Sequence, residues 1–255
     1  MHLHFEALGE GQPLVILHGL FGSLDNWGVV SRRLAKQFRV VAVDQRNHGR
    51  SPHSPEMDYP LMAEDVFQLI EKLGLNEPFV LGHSMGGKTA MQLALLHPAS
   101  VRKLVVVDIA PRAYSPRHLK LILGMRSLDL SRFERRSDID AALAPAVPDK
   151  STRQFLLKNV ARSDSGKFEW RMGLKEIHDN HSLLTQEIQP APPFGSPALF
   201  LRGENSDFLL ETDLELIKTL FPAARLETIP GAGHLIHVEQ PDRFLEVVTA
   251  FLNEP

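Results

Sequence analysis

The sequence contains no cysteine among its 255 residues. This absence excludes disulfides, thiolate metal sites, iron–sulfur clusters and a cysteine nucleophile. No window approaches the roughly 18 uninterrupted apolar residues of a membrane-spanning helix, so no membrane span is predicted. The first residues also lack a basic segment followed by a long apolar run. No signal peptide is therefore predicted, and the expected compartment is the cytoplasm.

An excess of charge of one sign is also missing. Lys and Arg total 28, Asp and Glu total 31, and the net charge is −3 with histidine neutral. This balance argues against a broad basic face for nucleic acid, so no nucleic-acid partner is expected. A chain of this length can bury a sizeable core without an obligate partner. A monomer or a homodimer is therefore expected.

Short apolar runs alternate with longer amphipathic stretches, which predicts an α/β fold with a mostly parallel sheet of about seven strands flanked by helices. The predicted strands are 2–7, 14–17, 39–43, 78–81, 103–107, 198–201 and 225–229. Between the fifth and the sixth of these strands, the strand rhythm stops over residues 112–196. We expect residues 1–111 and 197–255 to form the core, and residues 112–196 to form a helical cap of three or four helices. Open α/β sheets place their sites at the carboxyl ends of strands.

One turn between a strand and a helix carries a candidate nucleophile. Residues 82–86 read Gly-His-Ser-Met-Gly, which matches the pattern G-x-S-x-G. Such a turn is sharp, needs small flanking residues, and exposes the serine hydroxyl at a helix N-terminus. The alternative is a helix-capping serine in a glycine-rich turn. The strand before and the helix after the motif favour Ser84 as a nucleophile.

A serine nucleophile needs a base, and histidine is the side chain suited to that task near neutral pH. His234 follows the last predicted strand in a glycine-containing loop and is the first choice, with His237 second. His18 is expected to shape a neighbouring loop, and His83 to point into packing. A solvated surface position is expected for five others, namely His48, His53, His118, His178 and His181.

An acid must orient the base, and in this chain order it lies between the serine and the histidine. Asp108, Glu204 and Asp207 qualify because each follows a predicted strand. In the commonest arrangement the acid stands third after a glycine at the end of the strand, and here Ser206 occupies that position. Asp207 comes one residue late. Asp108 is preferred, Asp207 is the alternative, and Glu204 is third.

A second glycine-containing loop can supply the oxyanion hole. Residues 18–22 read His-Gly-Leu-Phe-Gly and follow a strand, and Gly19 lets a backbone N–H point into the cleft. The predicted donors are the N–H groups of Leu20 and Met85, with Phe21 as the alternative to Leu20.

These motifs together resemble the α/β-hydrolase family over nearly the whole chain. Four finer segments resemble the small YbfF-type esterases: residues 18–27, 46–49, 107–111 and 203–206. Asn47 stands where most α/β-hydrolases carry glycine, which supports that subgroup. The resemblance implies hydrolysis of short- to medium-chain acyl esters and of acyl-CoA thioesters, with no metal and no cofactor. It also implies that Ser206, which could bond His234 or the acid, replaces the usual acid.

Other activities on the same scaffold stay open at this point. Dehalogenases and epoxide hydrolases use an aspartate nucleophile, and Ser84 argues against both. A C–C bond hydrolase, a lyase or a perhydrolase would use the same serine, histidine and acid. A non-catalytic, ligand-binding protein is a further alternative, and the presence of all three residue types weighs against it.

Overall fold

A computed structural model describes residues 1–255, and its strands and helices have the following bounds. The strands are Phe5–Leu8 (β1), Pro13–Leu17 (β2), Arg39–Val43 (β3), Phe79–His83 (β4), Lys103–Val107 (β5), Val160–Arg162 (β6), Phe168–Trp170 (β7), Ala198–Gly203 (β8) and Ala224–Ile229 (β9). The helices are Gly28–Leu34 (α1), Tyr59–Lys72 (α2), Met85–Leu96 (α3), Leu119–Arg126 (α4), Arg136–Leu143 (α5), Lys150–Leu157 (α6), Leu174–Asp179 (α7), His181–Leu184 (α8), Leu214–Leu220 (α9), Ile236–Glu239 (α10) and Pro241–Asn253 (α11).

Seven strands form one sheet in the order β1-β3-β2-β4-β5-β8-β9. Only β1 runs antiparallel to its neighbour, and all other pairs are parallel. The predicted sheet of about seven mostly parallel strands is therefore confirmed. Because the parallel strands share a direction, the segments that follow β2, β4, β5 and β8 meet at one edge of the sheet.

Alternate residues of each central strand pack into different layers. In β5, Leu104 and Val106 belong to a core that includes residues of α2 and α3. Val105 and Val107 belong to a second core with residues of α1 and α11. A sheet covered by helices on both faces explains why its central strands are apolar at every position.

Residues 112–196, called the insertion below, lie between β5 and β8. The prediction of three or four helices was wrong, because the insertion contains five short α-helices (α4 to α8) and the antiparallel hairpin β6–β7. The hairpin strands have only three residues each, too few to show an alternating pattern. Apolar residues of the insertion share a core with Phe21 and Met85, so the insertion packs over the sheet edge that carries the site. None of the helices combines the length and the apolar character needed to cross a membrane.

Candidate active site

Ser84 sits on a strained turn between β4 and α3. Its backbone has φ 52° and ψ −118°, a conformation that residues with a side chain rarely adopt. The turn requires glycine on both sides, because a Cβ at Gly82 would lie 2.1 Å from the Gly86 carbonyl oxygen, and one at Gly86 would lie 2.4 Å from the Leu17 oxygen. The sequence therefore forms a tight elbow that holds Ser84 at the N-terminus of α3.

Asp108 and His234 are brought together from positions 126 residues apart in the chain. The Asp108 Oδ2 lies 2.7 Å from Nδ1 of His234. The Asp108 side chain is fully buried, whereas the His234 side chain is 25% exposed. A carboxylate on Nδ1 leaves Nε2 of the ring as the nitrogen available to exchange a proton with a substrate or a nucleophile.

Two further donors hold the Asp108 carboxylate. The Gly203 N–H donates to Oδ1 at 2.9 Å, and the Ser206 hydroxyl donates to Oδ2. The Phe208 ring stacks on the His234 imidazole, with ring centroids 3.9 Å apart. The carboxylate and the imidazole are thus both fixed in orientation before any substrate arrives.

The other two candidate acids are engaged elsewhere. Asp207 accepts from Arg117 at 2.6 Å, and its side chain is 67% exposed. The Glu204 carboxylate accepts the Gly231 N–H at 2.8 Å. Of the three acids, only Asp108 bonds to His234.

Ser84 and His234 line the same cavity, and no hydrogen bond joins them in this structure. Such bonds are often long in unliganded enzymes and tighten when substrate binds. His237, the second choice of base, stacks on Trp27 with ring centroids 4.1 Å apart, and burial lowers its pKa to about 3. His83 points into packing as predicted, and its Nε2–H donates to the His234 carbonyl at 2.9 Å.

Both residues predicted to supply oxyanion donors line a cavity together with Ser84. Met85 is the first residue of α3, so its N–H has no acceptor within the helix. Leu20 lines both cavities that contain Ser84. The alternative donor, the Phe21 N–H, is already bonded to Nε2 of His48 at 3.2 Å. This bond favours Leu20 over Phe21.

Two buried neutral histidines, His18 and His48, form hydrogen bonds that hold the loop of residues 18–22 in place. The sequence analysis did not predict the buried position of His48. His18 accepts the Gln45 N–H on Nε2 at 3.1 Å, and burial lowers its pKa to about 4. The expectation of a solvated His48 was wrong, because this residue is fully buried with a pKa lowered to about 3, chiefly by burial. The available signal was its place in residues 46–49, directly after β3, where Asn47 has φ 63°.

Two cavities meet at Ser84. The first, called the Lys88 cavity, has a volume of about 40 Å³ and is lined by Tyr59, Lys88, Ile109, Tyr114, His181 and Leu184, among others. The second, called the Trp27 cavity, has a volume of about 330 Å³ and is lined by Trp27, Leu121, Phe155, Leu156, His234 and His237, among others.

His118 of the insertion lines both cavities. Burial lowers its pKa to about 4, so the ring is neutral near pH 7. The expected surface position of His181 was wrong as well, since this residue is buried. Both histidines lie in polar stretches of sequence, so their positions inside the folded insertion could not be predicted from local polarity.

Comparisons with known proteins agree with this architecture. A family model described as "alpha/beta hydrolase fold" matches residues 12–241. Esterase YbfF of Escherichia coli (strain K12) is 36% identical, over 96% of this chain and 94% of that protein. The sn-1-specific diacylglycerol lipase ABHD11 of Mus musculus is 39% identical, over 94% of this chain and 80% of that protein. The solved structure titled "Marine microorganism esterase" superposes with a TM-score of 0.96 at 43% identity, covering 98% of this chain and 99% of that one. The chain belongs to the α/β-hydrolase family.

Proposed function

We propose that this chain hydrolyses carboxylic esters through an acyl-enzyme on Ser84, with His234 as the base and Asp108 as the acid that orients it. The observation that carries the proposal is the buried Asp108–His234 pair beside the elbow that presents Ser84. A binding protein has no need for a strained serine, an oriented imidazole and a buried carboxylate at one sheet edge. The arrangement therefore favours an enzyme.

The reaction runs in two halves. Nε2 of His234 accepts the Ser84 proton while Oγ attacks the acyl carbonyl, and the N–H groups of Leu20 and Met85 stabilise the oxyanion. His234 then donates that proton to the leaving oxygen, and the alcohol departs. Water attacks the acyl-enzyme with His234 again as base, which releases the carboxylic acid and restores Ser84. Asp108 keeps the Nδ1–H tautomer of His234 and stabilises the imidazolium.

The relatives support the ester-hydrolase part of the proposal. Two of them are named as an esterase and as a diacylglycerol lipase, and the chain is accordingly a carboxylic ester hydrolase. Short- to medium-chain acyl groups are the proposed substrates, and thioesters are included because the same steps cleave an acyl–sulfur bond. We further propose that the insertion acts as a cap, since His118, Leu121 and Phe155 line one cavity together with Ser84.

The test is a rate profile over p-nitrophenyl esters and acyl-CoAs of graded length, with Ser84→Ala as the control. The proposal predicts turnover of esters by the wild type and background rates for Ser84→Ala. Turnover that survives in a folded Ser84→Ala variant contradicts it. A C–C bond hydrolase or a lyase predicts instead that folded wild type leaves every ester in the series intact, whereas a perhydrolase predicts that added hydrogen peroxide takes the acyl group from Ser84 as a peracid.

A further inference from the structure

We propose that the two cavities divide the ester between them. The Lys88 cavity takes the acyl group, the Trp27 cavity takes the leaving alcohol or thiol, and the enzyme therefore prefers a short acyl group on a large apolar leaving group. This inference rests on the proposed function, because it assumes attack by Ser84.

The direction of proton transfer assigns the leaving group to one side. Asp108 occupies Nδ1 of His234, so Nε2 must deliver the proton to the leaving oxygen or sulfur. His234 lines the Trp27 cavity and does not line the Lys88 cavity. The leaving atom must lie within hydrogen-bond reach of Nε2, which places the alcohol or thiol in the Trp27 cavity.

The acyl chain must then extend away from both the oxyanion hole and His234. With the carbonyl oxygen on the N–H groups of Leu20 and Met85, the third substituent of the carbonyl carbon points away from both the oxyanion hole and His234. Leu20, Ser84 and Met85 all line the Lys88 cavity. That cavity is therefore the space into which the acyl chain extends.

The Lys88 cavity is the smaller of the two, with a volume of about 40 Å³ against about 330 Å³. Two of its lining residues, Tyr59 and Lys88, are fixed by hydrogen bonds to backbone carbonyls. The Tyr59 hydroxyl donates to the Leu184 carbonyl at 2.7 Å, and the Lys88 ammonium donates to the carbonyls of Arg112 and Gln186. A cavity of this size has room for a short acyl chain only, and a longer chain could enter it only by displacing its lining, which risks leaving these buried polar groups unpaired.

The Trp27 cavity suits a bulky apolar group instead. The core supplies Trp27, and the insertion supplies Leu121, Phe155 and Leu156. Apolar surface from both sides of the cleft can be removed from water by an extended alcohol. The larger volume and this lining give the leaving group more freedom in length than the acyl group has.

Two series of ester substrates measure the acyl preference and the alcohol preference separately. The first keeps p-nitrophenol and lengthens the acyl group from acetyl to palmitoyl, and the second keeps acetate and lengthens the alcohol from ethanol to dodecanol. We expect kcat/KM to fall by about tenfold or more between butyrate and octanoate in the first series. In the second series kcat/KM rises as the alcohol grows. A first series that is flat or rising, or a second series that falls, overturns the inference.

A matched pair of variants assigns each side to its residues. Leu184→Ala enlarges the Lys88 cavity and shifts the acyl optimum to longer chains without changing the trend with alcohol length. Phe155→Ala flattens the trend with alcohol length and keeps the acyl optimum. The reverse pattern contradicts the assignment. Leu184→Phe, which fills the same space, should narrow the acyl range and decides the point if Leu184→Ala does not fold.

The outcomes distinguish this inference from the proposed function. If a fluorophosphonate probe does not label Ser84 in folded wild type and no ester is cleaved, the proposed function fails. If hydrolysis depends on Ser84 but long acyl chains react as fast as short ones, only the division of the cavities fails.

Discussion

Asp108 connects several segments of the candidate site through hydrogen bonds to its carboxylate. It has φ 55°, is fully buried, and accepts hydrogen bonds from Gly203, Ser206 and His234. Its strained backbone persists because these partners fix the carboxylate. A carboxylate held in this way cannot rotate away from His234, so the imidazole keeps one tautomer and one orientation.

Replacing this acid tests its role directly. We expect Asp108→Asn to lower kcat by on the order of 10⁴-fold, the effect that loss of the orienting carboxylate has in other enzymes with a serine, histidine and aspartate. Asp207→Asn is the matched control, because it removes only an exposed pair with Arg117, and it should change kcat little. Initial rates on p-nitrophenyl butyrate measure both effects. A large loss confined to Asp207→Asn would reverse the assignment of the acid.

The sequence alone could not determine which aspartate bonds to the histidine, or which histidines are buried, and the reason is physical. Asp108 and Asp207 both follow strands, and residue order alone left both open. The choice depends on where the β5 and β8 turns point their side chains, which the parallel register of these strands determines. The solvated positions expected for His48 and His181 were wrong because tertiary contacts bury both residues, which local polarity does not reveal.

At the scale of elements, the loop that carries His234 is held from both sides. The Glu239 carboxylate at the end of α10 accepts the Gly233 N–H at 2.7 Å and the Leu235 N–H at 3.1 Å. The His83 ring binds the His234 carbonyl. One carboxylate therefore clamps the residues on both sides of His234.

Loss of the Glu239 carboxylate should slow catalysis more than it weakens substrate binding. We expect Glu239→Ala to lower kcat by about tenfold and to change KM less, since a loosened loop reduces the time His234 spends in position, while the side chain is only one of many that line the Trp27 cavity. Glu239→Gln keeps one acceptor oxygen and should fall between Glu239→Ala and wild type. Glu246→Ala is the control, because Glu246 pairs only with Arg243 on α11. An effect on KM alone would argue against a positioning role.

The elements themselves differ in how well the sequence predicted them. The central strands and the elbow carry strong signals, because buried parallel strands are continuously apolar and the elbow needs glycines at fixed positions. Within the insertion the helices are short, from four residues in α8 to eight in α4. Helices of this length depend on tertiary packing rather than on their own propensity, so the periodicity that marks a long helix is weak.

At the scale of the whole molecule, buried neutral histidines tie stability to pH. Burial lowers the pKa of His18 to about 4, and that of His48 and His237 to about 3, from 6.5. Between pH 6.5 and 4 the unfolded chain binds protons at these positions and the folded chain does not. The free energy of unfolding is therefore expected to fall as the pH falls through this range, by about 1.4 kcal/mol per pH unit for each such histidine that is charged in the unfolded chain and neutral in the folded one.

Urea unfolding at pH 7, 6, 5 and 4 measures this loss. His48→Gln removes one of the buried titrating groups and should flatten the pH dependence, although it also lowers stability at pH 7. His178→Gln alters a histidine that lies beside Asp179 near the surface, and it should keep the dependence of the wild type. Constant stability of the wild type between pH 7 and pH 4 would contradict the account.

The whole molecule gathers a serine after β4, an acid after β5 and a histidine after β9 at one sheet edge, and the most direct test asks whether the serine reacts. Wild type is incubated with a fluorophosphonate, and the modified peptide is identified by mass spectrometry while esterase activity is followed. We predict a single adduct on Ser84 that forms in step with the loss of activity, and no adduct in Ser84→Ala. Complete inactivation with Ser84 unmodified would show that the nucleophile lies elsewhere.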